Sequence, residues 1–120
     1  MSKELMRILT YDVFNVDEVL APSGAKTSKA FDLREVAQNG LFSLQYTVVG
    51  AGVVTFSYTM CSTEDGTFFT PVGGGTIKAG VVEGTGGLEF EPELFPFIKF
   101  VATETGGAAQ ATVSAKFNVQ

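Results

Sequence analysis

Four stretches of the chain alternate apolar and small polar residues with a period of two. Leu41–Val49 places Phe42, Leu44, Tyr46 and Val48 on one face, with Ser43, Gln45 and Thr47 on the other. Val53–Met60 does the same with Val54, Phe56, Tyr58 and Met60. Ile98, Phe100 and Ala102 share a face late in the chain, and Ala111, Val113, Ala115, Phe117 and Val119 share one at its end. Successive side chains of a strand point to opposite sides, so each stretch reads as a β-strand with one buried face. The first two stretches flank Gly50-Ala51-Gly52. They predict a central hairpin whose apolar residues pair across strands, with both glycines supplying positive φ.

The rest of the chain is punctuation around shorter strands. Residues 1–10 are compatible with one or two helical turns or an arm, with Leu5, Ile8 and Leu9 on one face. Short strands are predicted at Tyr11–Val16 and at Ala30–Arg34, the latter with Phe31 and Leu33 inward. Leu20–Ser28 reads as a loop. Ser62–Thr67 is a polar turn with Asp65-Gly66 at its tip, after which Phe68 and Phe69 are expected to re-enter the core. Gly73–Gly75 and Gly84–Gly87 read as flexible connectors around a short strand near Thr76–Ala79. Pro92 and Pro96 remove two backbone donors, so the segment between them reads as an edge or a crossing between sheets. After residue 10 no helix of real length is predicted, so a βαβ unit is ruled out. Seven or eight short strands separated by turns predict an all-β single-domain antiparallel β-sandwich or jelly roll. Within it, residues 1–28 form an N-terminal arm, short strand and loop, and 29–120 form the sandwich core.

A chain of 120 residues makes one domain. Its charged content is only 18%, below the quarter or so usual for soluble proteins, which points either to a fold that buries much of itself or, as the favoured contributing cause, to surface covered by partners. The net charge is −5 and the eight basic residues are scattered, Lys26 and Lys29 being the nearest to a patch. Nucleic-acid binding needs clustered cations to displace phosphate counterions, and the chain offers none. The N-terminal residues lack the apolar core of a signal peptide, and no run approaches the ~18 apolar residues of a membrane helix. Synthesis in the cytosol follows as the expectation.

Histidine is absent, which removes the commonest general base and zinc ligand together. The lone cysteine, Cys61, permits no intrachain disulfide and reads as a packing residue with no sequence neighbour to lower its pKa. Glu89, Glu91 and Glu93 form the densest acidic cluster. At alternate positions they read as one solvated strand face opposite Phe90, against the competing readings of a carboxylate pair or a calcium site. Ser62–Gly66 lacks the ligand spacing of a calcium loop, and Gly73–Thr76 lacks the lysine and helix of a phosphate loop. No catalytic residue, metal ligand or cofactor site is assigned.

One ordering of motifs goes further. Phe31-Asp32-Leu33 and Gly40–Tyr46 are followed by the glycine turn, Thr55–Met60 and Ser62–Phe68. Phe90–Thr103, with its two prolines, then precedes Gly106-Gly107 and the final strand. Over about residues 30–120 this order resembles small β-sandwich virion proteins of tailed bacteriophages and prophages. The resemblance implies a non-enzymatic structural role in a phage particle, capsid decoration ahead of tail or baseplate. It also implies other virion proteins as partners, a homo-oligomer, and residence in the virion after synthesis in the host cytoplasm. The alternative is a ligand-binding sandwich, most plausibly for carbohydrate. That reading is weakened by the absence of Trp and the presence of only Tyr11, Tyr46 and Tyr58. An enzyme would need two of Glu89, Glu91, Glu93, Glu64 and Asp65.

Overall fold

The computed structural model describes residues 8–14, 18–36, 39–93 and 95–120. Within these, ten strands form two antiparallel sheets packed face to face, an all-β sandwich. The strands are β1 (Leu9–Asp12), β2 (Glu18–Leu20), β3 (Ala25–Thr27), β4 (Phe31–Asp32), β5 (Phe42–Val49), β6 (Val54–Cys61), β7 (Thr76–Val81), β8 (Gly84–Phe90), β9 (Phe97–Glu104) and β10 (Ala111–Val119). The first sheet runs β1-β10-β5-β8, with β2 also paired to β10. The second runs β3-β9-β6-β7, with β4 also paired to β9.

The alternation in the sequence translates directly into the core. Phe42, Leu44 and Val48 of β5 are buried, as are Val54, Phe56, Tyr58 and Met60 of β6. Ile98, Phe100 and Ala102 of β9 are buried, and so are all five inward residues of β10. Phe31 and Leu33 point inward as predicted. Phe117 sits at the centre with no exposed surface. Its ring lies 4.9 Å from Phe100, 5.9 Å from Phe31, 6.1 Å from Phe42, 6.2 Å from Tyr11 and 6.3 Å from Phe90. Rings at these separations add edge and offset attraction to their area burial.

The predicted central hairpin is not formed. β5 and β6 belong to different sheets: β5 pairs with β10 and β8, while β6 pairs with β9 and β7. Their apolar faces do oppose each other, but across the interior of the sandwich, where the rings of Tyr46 and Phe56 stack 5.0 Å apart. Two strands that each carry a full apolar face bury both by facing one another, whereas a flat hairpin would leave that work to other elements. Only Gly50 adopts positive φ, at 108°. Gly52 is needed for closeness instead. A Cβ there would lie 2.9 Å from Ala111 Cβ and 3.0 Å from the Gln110 carbonyl oxygen, because the crossing passes over the start of β10.

Four further expectations are revised. Gly84–Gly87 is not a connector but the first half of β8, hydrogen-bonded along β5 from Val48 to Phe42. Here Gly86 makes room for the Tyr46 ring, whose hydroxyl oxygen would be 2.8 Å from an added Cβ. The stretch Leu20–Ser28 contains the end of β2 and all of β3. The strands predicted around residues 11–16 and 30–34 are shorter, β1 ending at Asp12 and β4 spanning two residues, with Asn15 and Val16 outside the described residues. Phe68 and Phe69 do not enter the core: Phe69 is exposed, bridging Met60 and packing edge-on against Phe95 at 5.1 Å, and Phe68 lies under the Lys99 ammonium. The proline-bracketed segment does carry the chain from the first sheet (β8) to the second (β9), as read. Where described, the N-terminal 28 residues are woven into both sheets, β1 and β2 into the first and β3 into the second. The helical turns considered for residues 1–10 fall largely on residues 1–7, which lie outside the described residues.

Phe117 is the residue on which this core should depend most. Truncation of a large buried aromatic costs about 3–5 kcal/mol. Phe117→Ala is therefore expected to lower the urea midpoint by that equivalent, while Val101→Ala, on the solvent side of β9, changes it by about 0.5 kcal/mol or less.

Candidate interaction surfaces

At one end of the sandwich the loops converge on Glu104. It is the last residue of β9, in phase with Ile98, Phe100 and Ala102, and only 1% exposed. A buried carboxylate is tolerated only when its oxygens are satisfied. Here each oxygen accepts two backbone N–H groups. Oε1 takes those of Ser23 (3.0 Å) and Gly107 (2.7 Å), and Oε2 those of Val53 and Gly106, both at 2.8 Å. One side chain thereby ties the β2–β3 turn, the β5–β6 crossing and the β9–β10 turn. These donors, the Ser23 amide foremost, hold the carboxyl well below its ordinary 4.5, at about 2. A second acidic tie joins the same end, where Glu83 accepts from the Gly50 N–H at 3.0 Å.

The outer face of the first sheet is lined by short polar side chains that pair with one another. The Thr10 hydroxyl donates to Asn118 Oδ1 (2.7 Å), and Asn118 Nδ2 donates to Ser43 Oγ (3.1 Å). Thr47 and Thr85 hydroxyls share a hydrogen bond at 3.0 Å across β5 and β8. Lys116 on β10 pairs with Asp12 on β1 at 2.6 Å. None of the three tyrosines offers an exposed platform for a sugar ring: Tyr58 is buried, and Tyr11 and Tyr46 pack against the core.

The acidic residues singled out in the sequence do not assemble. Glu89 is exposed on β8, but the strand ends at Phe90, so exposed Glu91 and Glu93 fall in the crossing to β9 and not on one strand face. Glu64 and Asp65 sit exposed in the β6–β7 loop. Among the described residues no three of His, Cys, Asp and Glu come together as metal ligands would. Cys61 is buried, as a packing residue should be. Its thiol pKa is nonetheless lowered, chiefly by the Thr63 backbone amide, a local turn effect that the neighbouring side chains do not advertise.

The two lateral sides of the sandwich differ. On one side, β1 and β2 share β10, and β3 and β4 share β9, so both edges are built from pieces of two to four residues. On the other side, β7 spans six residues with bulged pairing to β6, while β8 runs in regular register for seven, and among the described residues neither has a partner on its outer side. β8, Gly-Thr-Gly-Gly-Leu-Glu-Phe, contains no proline and no cation. Where β8 ends, Phe90 and Phe42 line a groove of about 580 Å³ with Ile8, Leu41 and Val119, bordered by Glu89 and Glu91. Ile8 and Leu41 are both more than half exposed there.

No known protein family matches the chain, and no curated protein matches it. Among solved structures, one similar chain comes from work titled "Bacillus endospore appendages form a novel family of disulfide-linked pili". It is 18% identical, with 92% of this chain and 85% of that chain covered, at a TM-score of 0.48.

Two outcomes test the Glu104 anchor. Glu104→Gln presents an NH2 group to two backbone donors, so its urea midpoint should fall well below that of an exposed control such as Glu93→Gln. The pH dependence has a fixed sign. The folded pKa lies below the ordinary value, so this contribution is complete above about pH 4.5 and fades as pH falls toward 2. Acid unfolding followed by circular dichroism should show that loss in the wild type and less of it in Glu104→Gln.

Proposed function

We propose that the protein is a non-enzymatic structural subunit of a tailed-phage particle, a capsid-decoration or other assembly subunit that works through protein–protein contacts and self-associates along β8. The observation that carries this reading is the unpartnered β8 edge. A row of free backbone N–H and C=O groups on a long, regular strand is a template for strand addition, and solitary proteins usually blunt such edges with lysine, proline or a bulge. β8 has no lysine, proline or bulge along its ladder with β5, which runs in unbroken register, and its single charged residue, Glu89, stands one residue from its end. The opposite edges are interrupted, so the open edges lie on one side.

Low charge and the short, mutually paired polar side chains of the first sheet's outer face support the same reading, since interface cores are depleted in charged residues. The order of strands and turns from Phe31 to Val119, which resembles tailed-phage virion proteins, supports the finer assignment to a particle and to residence in the virion.

Light scattering coupled to size exclusion tests the self-association. The wild type should grow in mass with concentration, and Thr85→Lys, which plants a cation on the open edge, should stay monomeric with an unchanged circular dichroism spectrum. A wild type that stays monomeric up to millimolar concentration overturns self-association. Sedimentation of labelled protein with purified tailed-phage shells tests the particle assignment separately, and failure to co-sediment overturns it.

A further inference from the structure

We infer that Asn39-Gly40 is a site of spontaneous covalent modification, at which Asn39 converts to aspartate and isoaspartate in the folded protein. The pair is exposed and leads into β5. Gly40 holds φ at +67°, and apart from its chain neighbours no heavy atom lies within 4 Å of the place where a side chain would sit, so no other part of the described fold covers this glycine. The turn is fixed on either side of that nitrogen: the N–H groups of Asn39 and Leu41 both donate to the Gln120 carbonyl, at 3.1 and 3.3 Å. The Gly40 N–H between them takes part in no hydrogen bond among the described residues. The nucleophile of the reaction is thus accessible and unengaged, on a residue with no Cβ to obstruct ring closure.

The chemistry balances without a cofactor. The Gly40 nitrogen gives its proton to solvent base and attacks Asn39 Cγ. The new N–C bond closes a five-membered succinimide as the side-chain nitrogen leaves as ammonia. Water then opens the ring at one carbonyl to restore the main chain with an aspartate, or at the other to route the main chain through Cβ as isoaspartate. Either product adds a carboxylate to an end of the sandwich already bearing Glu89 and Glu91, where Gly40 itself lines the groove. Isoaspartate also lengthens the backbone between two donors to Gln120, which should loosen the pairing that starts β5 against the end of β10.

Asn118 provides an internal comparison. It lies within the regular strand β10 and precedes the buried Val119 rather than a glycine. The experiment is incubation of the full chain in mildly alkaline buffer, with and without urea, followed by peptide mapping by mass spectrometry. Without urea, Asn39 should be lost to a mixture of aspartate and isoaspartate while Asn118 stays intact, and hydroxylamine should cleave the chain after residue 39. Gly40→Ala should slow the loss through steric hindrance at the attacking nitrogen. Because alanine is strained at this φ, the decisive comparison is made within the wild type. Persistence of Asn39 for as long as Asn118 in the folded protein, or conversion only in urea, overturns the inference.

Discussion

One end of the sandwich is organised by a charge that has nowhere to go. Glu104 is carried inward by the same alternation that buries Phe100 and Ala102, and a carboxylate in that position must be met by donors. Four backbone amides from three separate turns meet it. The arrangement reads in both directions. The amides make the buried charge tolerable, and the charge fixes the spacing of the turns that carry the chain from one sheet to the other. Gly106 and Gly107 belong to it, since a Cβ on Gly106 would lie 2.9 Å from Glu104 Oε2 and Gly107 adopts a φ of +80°.

With that end held, the sheets can be built from strands distant in sequence. β10 lies between β1 and β5, and β9 between β3 and β6, so one inner strand of each sheet comes from the last quarter of the chain. Phe117 of β10 and Phe100 of β9 meet at 4.9 Å in the middle of the interior. The periphery follows from this centre. The N-terminal strands lie along one side in short pieces, and β7 and β8 close the other side as long edges with nothing beyond them among the described residues. The proposed role as an assembly subunit rests on that asymmetry of topology together with the lack of lysine and proline along β8.

Much of the core was legible before the structure, because burial of alternate side chains leaves its mark at every second position. The inward sets of β5, β6, β9 and β10 are those read from the alternation, except that Tyr46 is only half-buried against the core. The crossing at Pro92 and Pro96 was legible because proline removes ladder donors. Illegible features have physical reasons. β8 was hidden by its glycines, which weaken any strand signal but suit a strand that must pass close to Tyr46. β2, β3 and β4 are too short to show a period. The role of Glu104 shows in the sequence only through its place on the buried phase just before Thr105-Gly106-Gly107.

The sequence by itself determined that this is a β-protein, which side chains make its core, and that histidine chemistry has no part in it. Alternation is a local property, and each strand carries it independently of its partners. Only the tertiary structure decided that β5 and β6 part company at Gly50–Gly52 to face one another from different sheets, that a lone glutamate anchors three turns, and that β8 is left as an open edge. Those outcomes depend on which strand lies beside which, and period-two patterning is the same for a hairpin as for a crossing.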